Sequence, residues 1–264
     1  MTALRGPFRV VESELLGYKR TWRGTAISSF VNPLLFLTAM GLFVGPMVDS
    51  NEEVLGIPYL PFVATGLMAA SAMQNGAADG AFPVMAGIKW RKSFEGAIAT
   101  PISPADIVVG RFLWSIVRLT FILVVFGTIA TLPFLDALEF GPAMKAVPPG
   151  VLTGLAFTTA VTAFTVTREN ETSLSTLFRF GIIPLFLFSG TFFPISQLPG
   201  FLQPIAYATP LFHGVELVRK FALPGADSPA VTATPVWVHL AYLIALTAVS
   251  LYLASRWLDK RLKK

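Results

Sequence analysis

Residues 107–134 read IVVGRFLWSIVRLTFILVVFGTIATLPF, with Arg111 and Arg118 as the only charges. As a helix, at about 1.5 Å rise per residue, this run exceeds the ~30 Å hydrocarbon core of a bilayer. Such a segment is read as a membrane span. Arg118 lies about two turns inside it and has two readings. Its long side chain can snorkel toward the interface, or it can pair inside the bundle with an acid on another helix.

Comparable apolar blocks lie on both sides of this one. Upstream they cover about 25–48, with Pro33 as a potential kink, and about 58–82, rich in the small residues that allow close helix packing. Downstream they cover about 147–167, 173–193 and 235–257. The whole chain of 264 residues is 54% hydrophobic and 13% charged, with mean hydropathy +0.66. Soluble domains carry about 25% charged residues, so this composition excludes an ordinary soluble fold. The expectation is an all-α polytopic membrane protein: a single membrane domain over residues 1–264, with a six-helix bundle over 25–257.

The remaining segments are punctuated differently. Residues 8–23 place Phe8, Val11, Leu15 and Trp22 at helical spacing, with Arg9, Glu12, Lys19 and Arg20 tending to the other side. This predicts an amphipathic helix in the membrane interface. No central apolar run marks residues 1–24 as a cleavable signal. Residues 194–224 are apolar but broken by Pro194, Pro199, Pro204, Pro210 and Pro224. One continuous helix is excluded there, and two short pieces dipping part-way into the membrane fit. Residues 258–264 form a basic tail.

Charge sets the orientation. One side takes the N-terminus, the 83–106 loop, the 168–172 link and the C-terminus. The far side then holds Lys145, Arg219 and Lys220, and Arg118 lies within a span, leaving sixteen of the twenty Lys and Arg residues on the first side. By the positive-inside rule that side is cytoplasmic. The net charge of +5 follows from this bias and does not point to nucleic acid.

The chemistry is sparse. No cysteine occurs, so disulfides and thiolate sites are excluded. GxxxxGK[ST] is absent, as are HExxH and GxSxG. His213 and His239 are distant in sequence and read as interfacial or packing residues. Acids are nearly missing from mid-span positions; Asp79 and Asp106 fall near helix ends. Without a proton or sodium relay, an external energy source is favoured over ion coupling. Thr158, Thr162 and Thr165 share one helix face, where they line a path or bond to neighbours and backbone. Phe178, Phe180, Phe186, Phe188, Phe192 and Phe193 make the fifth block aromatic, for contact with lipid-like cargo or for packing.

The loop 86–106, AGIKWRKSFEGAIATPISPAD, carries the dense cluster Lys89, Trp90, Arg91 and Lys92. Residues 93–100 can form a short helix before Pro101 and Pro104 break it. Such a basic-aromatic helix is either a docking surface for a cytoplasmic protein or an anchor on anionic lipid.

Taken together, these features resemble the ABC-2-type exporter permeases. The run Leu187–Pro199, LFSGTFFPISQLP, is similar to the signature at the outer end of that family's fifth helix. Residues 66–73, GLMAASAM, and the stretch from Trp90 to Gly110 resemble the branch of nodulation-protein-J-like lipo-oligosaccharide permeases, near the daunorubicin-resistance permeases. The resemblance implies a bacterial cytoplasmic-membrane subunit with both termini inside, surrounded by membrane lipids. It implies a second permease protomer, identical or a sister chain, and a separate ABC ATPase subunit. No cofactor is expected on this chain; ATP and Mg would bind the ATPase. Lys89, Trp90, Arg91, Lys92, Phe94 and Glu95 would couple to that subunit. Residues 196–222 would form re-entrant helices before the last span. Cargo would be amphipathic, a lipid-linked oligosaccharide, glycolipid or hydrophobic drug. Thr158, Thr162, Phe186, Phe188 and Phe192 are the residues placed on its path. A stand-alone secondary transporter or channel is the alternative, and would need an ion relay. A membrane-embedded enzyme would need convergent acids, histidines or a metal.

Overall fold

The computed structural model describes residues 5–48, 57–133, 135, 137–225 and 232–263. Among these residues all regular structure is helical. The acidic loop at Asp49, Glu52 and Glu53 and the loop acid Asp136 lie outside the described residues.

Helix α1 runs from Arg5 to Ala39 and continues through a π turn, Met40–Val44, into α2, Gly45–Val48. The expected interfacial helix and first span are therefore one helical segment, and the backbone stays helical through Pro33. The N-terminal half of α1 lies along α5 (Pro104–Ala130). A Cβ on Gly110 would sit 2.5 Å from Val10 and 2.7 Å from the Pro7 carbonyl. Tyr18 meets Trp114 edge-on at 5.5 Å. Phe8, Leu15, Leu16 and Trp22 stay exposed. The apolar face read from the sequence is thus the unpacked one, open to an interface.

Helix α3 spans Tyr59–Met85 and runs on through a π turn, Ala86–Trp90. It continues past Pro83, where the sequence predicts a loop, so Lys89 and Trp90 stand on the helix end. After it come α4 (Ser93–Ile98) and α5, which starts at Pro104. Ser103 caps α5: its hydroxyl accepts from the Asp106 amide, and Asp106 accepts from the Ser103 amide, satisfying two otherwise orphaned donors. A short α6 (Phe140–Lys145) leads into α7 (Val147–Val166).

Helix α7 is the centre of the bundle, packed by α3, α5, α11 (Pro210–Ala222) and α12 (Val236–Leu262). Its tightest partner is α3. A Cβ on Gly76 would lie 2.2 Å from the Gly154 carbonyl, and one on Gly80 would lie 2.5 Å from the Thr158 carbonyl. This is the close backbone approach that small residues permit between membrane helices. We expect Gly76→Ala to lower the unfolding midpoint by several degrees, because the obstruction is backbone and overpacking costs about 1–3 kcal/mol. Gly96→Ala, where nothing lies within 4 Å, should leave the midpoint unchanged. Thermal unfolding in detergent compares the two.

The fifth block differs from its expected extent. Helices α8 (Thr172–Leu177) and α9 (Ile183–Phe188), joined by a π turn at Phe178–Ile182, end at Phe188 rather than 193. Gly190 adopts φ +84 and Pro194 follows, so the helix cannot continue. Phe192 and Phe193 lie in the bend beyond it. The broken stretch then forms a 3-10 turn (Ile195–Gln197), α10 (Gln203–Tyr207) and α11. The basic tail is largely helical, since α12 runs to Leu262. Arg261 donates to the carbonyls of Val166 and Arg168, at 2.5 and 2.7 Å, capping the end of α7. Among the described residues three segments are long and apolar enough to cross a membrane: Pro104–Ala130, Phe140–Val166 and Val236–Leu262.

Candidate functional site: a basic corner and a buried charge network

At the end of α3 the chain turns sharply through Lys92, whose φ of 50 is left-handed. Phe94 is the one member of the predicted coupling set that is buried. Its ring lies where a Cβ on Gly87 would be, 2.5 Å away, so the glycine lets α4 fold back on the helix above. Phe94 joins a cluster with Val84, Ile88, Ile107, Val108, Val166 and Leu258. Lys89, Trp90, Arg91, Lys92 and Glu95 are exposed around this anchor. The indole of Trp90 donates to Glu171 at 2.5 Å, and Lys89 lies 3.8 Å from the same carboxylate. Glu171 belongs to the link before α8, so the corner is braced against the neighbouring connection. The result is a fixed short helix with a cationic, aromatic outer surface.

Above the corner lies a network of charges between spans. Arg118 of α5 pairs with the carboxylate of Asp79 on α3, whose side chain is 3% exposed. Of its two readings from sequence, the fold takes the buried pair. One turn or two away, Arg111 donates to Glu14 of α1 at 2.5 Å and to the Asp79 carbonyl at 3.0 Å. Four charged residues thus tie α1, α3 and α5 together at one level. Among the described residues Asp79 Oδ2 and Arg118 Nε have no hydrogen-bond partner, so the pair is incompletely satisfied.

A third polar knot joins α11 to α3. Arg219, counted from sequence as a far-side loop charge, is 1% exposed. It donates to the carbonyls of Gly190 (3.0 Å) and Phe62 (3.4 Å) and to the Thr65 hydroxyl (3.3 Å). Its guanidinium sits 4.0 Å above the Phe62 ring, and Glu216 lies 3.8 Å away. The spacing Glu216–Arg219 on a strongly amphipathic helix was the available sequence signal for this pair.

The residues placed on a cargo path do not converge. Phe186 and Phe192 touch edge-on at 5.0 Å, and Phe36 of α1 lies 6.4 and 6.3 Å from them. Phe188 is exposed beside Ile183 and Leu187. Thr158 and Thr162 are buried elsewhere, between α7, α3, α5 and α12. Thr158 donates back to the Gly154 carbonyl at 2.9 Å, and both threonines line a small cavity with Arg111, Phe112 and Leu251. Among the described residues, no three His, Asp or Glu side chains gather as a metal site.

Comparison with known proteins bears on what this arrangement serves. The family model for the ABC-2 type transporter matches residues 8–223, most of the chain. Nodulation protein J of Rhizobium meliloti (strain 1021) is 28% identical over 94% of this chain and 90% of its own length. Nodulation protein J of Sinorhizobium fredii (strain NBRC 101917 / NGR234) is 29% identical over 91% of this chain and 89% of its own. The inner membrane transport permease YadH of Escherichia coli (strain K12) is 23% identical over 93% of both. The matched region takes in the α3–α4–α5 corner, the charge network and the broken stretch through α11, and the chain belongs to the ABC-2 type transporter family as a membrane permease.

Proposed function

We propose that this permease is the membrane half of an ATP-driven exporter in the bacterial cytoplasmic membrane, moving an amphipathic cargo. The observation that carries the reading is the corner at Lys89–Glu95. It buries one aromatic residue for rigidity and presents Lys89, Trp90, Arg91, Lys92 and Glu95 outward. A separate ATPase subunit, which binds ATP and Mg, docks there. ATP-driven closure of two such subunits moves α4, and the helices rigidly joined to it, as a body. Directional transport then needs a cavity whose affinity for cargo differs between two states, and no catalytic group.

In this reading the chain crosses the membrane six times. The spans are the later part of α1 with α2, then α3, α5, α6–α7, α8–α9 and α12, with both termini cytoplasmic and α10–α11 dipping into the outer leaflet. The domain is then a single one over residues 1–264, its interfacial segment at 8–23. A second protomer covers exposed apolar side chains that include Leu35, Phe180, Ile183 and Phe188. Cargo passes between protomers along the second and fifth spans. Phe188 faces it, Phe186 and Phe192 back it, and Thr158 and Thr162 shape the α3–α7 packing behind. The resemblance of residues 66–73 and of the stretch from Trp90 to Gly110 to lipo-oligosaccharide permeases supports a cargo of that amphipathic kind.

Because the chain has no cysteine, single-cysteine labelling tests the orientation directly. A membrane-impermeant maleimide applied to intact cells should label Gln197→Cys and spare Arg91→Cys until the membrane is opened. The reverse pattern, or labelling of both from outside, would overturn the topology.

A further inference from the structure

The chain has two histidines, and the fold sets them face to face. His213 lies on the first turn of α11 and His239 on the first turn of α12. Their Nδ1 atoms are 2.8 Å apart. His239 is fully buried and His213 is 8% exposed. Two ring nitrogens at this distance need one proton between them: one Nδ1 donates and the other presents a bare lone pair. The rings are held in place by aromatic neighbours. Tyr242 stacks on His213 at 4.0 Å, and Phe212 meets both rings edge-on at 5.3 and 5.7 Å.

The proton count follows from this geometry. A neutral pair holds one proton per ring, one of them in the bridge. One added proton occupies the free nitrogen of the donor ring and leaves the bridge intact. A second must go to the accepting Nδ1, which sets N–H against N–H and breaks the bridge. The groups facing the pair are few. Glu216 of α11 acts on His213, and is itself held by the Thr232 amide (2.8 Å) and hydroxyl (2.6 Å). Lys220 acts on His239 and donates to the Thr234 carbonyl. Tyr242 donates to the Ala208 carbonyl at 2.8 Å, and Tyr207 reaches the site through Phe212. Helix α7, packed against both α11 and α12, has no titratable residue. The Thr234 backbone also acts on the His239 ring, whose Nε2 is buried with no hydrogen-bond partner among the described residues. Among the described residues no carboxylate bridges the two rings, and the link between them is the shared proton.

We propose that His213 and His239 form a proton latch that fastens the start of α11 to the last span and opens when acid loads both rings. The far end of α11 stays tied to α3 and the Gly190 turn through Arg219, so opening frees only the end that joins α10. With the orientation proposed above, the latch reads the pH outside the cell; that sidedness rests on the proposed topology, whereas the latch itself does not.

Two histidines make the test clean. The chain is prepared in lipid nanodiscs with ring-15N histidine. At about pH 8 the spectra should show a 15N–15N coupling through the hydrogen bond, joining one protonated and one bare Nδ1. At about pH 3 the coupling should vanish. Amide exchange in residues 209–216, corrected for its intrinsic pH dependence, should then rise on the order of tenfold. In His239→Gln that exchange should no longer respond to pH. Absence of the coupling at about pH 8, or coupling and protection that persist at about pH 3, would overturn the latch. The wild-type spectra decide the matter even if the variant folds poorly, and the cysteine labelling tests sidedness separately.

Discussion

Glutamate at Lys89, Arg91 and Lys92 together is expected to abolish recovery of an ATPase with this chain, while the chain itself should still insert and pack. The expectation follows from where these side chains lie. All three are exposed around the buried anchor Phe94 and none contributes to a helix–helix seam. Lys89 has a carboxylate partner in Glu171, at 3.8 Å and half exposed, which stabilises by at most about 1 kcal/mol. Folding should therefore tolerate the change. Docking should not, because juxtaposing like charges across an interface costs several kcal/mol, a loss of at least about a hundredfold in affinity. The check is the ratio of ATPase to permease after affinity purification in low salt, beside a thermal unfolding curve of the same sample. Equal ratios for wild type and variant would remove the basic corner from the coupling role. Phe94 serves as a contrast, since Phe94→Ala should weaken docking through loss of rigidity and lower the unfolding midpoint as well.

Arg118→Leu is expected to be among the most destabilising single changes in the bundle, and Asp79→Leu with it to be far milder. Asp79 is 3% exposed and Arg118 is its ion partner. Removing the arginine strands a carboxylate between spans, which costs about 3–5 kcal/mol for a buried pair. Removing both leaves two apolar side chains in an apolar region, a change that is near neutral in such sites. The single variant should lose roughly 10 °C in unfolding midpoint and the double variant should regain most of it. Midpoints in detergent for wild type, both singles and the double close the cycle. A loss in the double variant equal to the sum of the two single losses would mean that the two side chains act separately. Glu14→Gln is expected to have a smaller effect, because Arg111 keeps the Asp79 carbonyl.

Much of this architecture was legible in the sequence because a bilayer enforces simple rules. Long apolar blocks, the break at successive prolines and the short helix after Lys92 follow from length, hydropathy and backbone chemistry. The misplacements have local causes. Residues 83–90 read as a loop because Pro83 and the basic cluster look like a terminus, yet a proline near a helix end removes only one donor and the helix continues to Trp90. The fifth block read as running to 193 because hydropathy does not register the left-handed φ of Gly190. The tail read as separate because its charges hide a helix that caps α7 through Arg261.

The polar sites were less legible, since each depends on a long-range meeting. Arg118 and Asp79 are 39 positions apart, and His213 and His239 are 26 apart. Arg219 and Thr65 are 154 apart. Periodicity assigns each residue a helix face but does not say which faces meet. Thr158 shows the same limit: its hydroxyl returns to its own helix backbone, and the carbonyl beside it packs where Gly80 lacks a side chain. The basic corner was the exception, because its residues are contiguous.

A permease that works with a separate ATPase should carry that subunit out of the membrane with it. The most direct measurement is affinity purification of the tagged chain from its native membrane in mild detergent, with quantitative mass spectrometry of what accompanies it. A P-loop ATPase is expected in roughly equal molar amount, and is expected to be lost from the Lys89–Arg91–Lys92 variant. A monodisperse permease free of any ATPase, with and without added nucleotide, would contradict it and turn attention to a carrier that works alone.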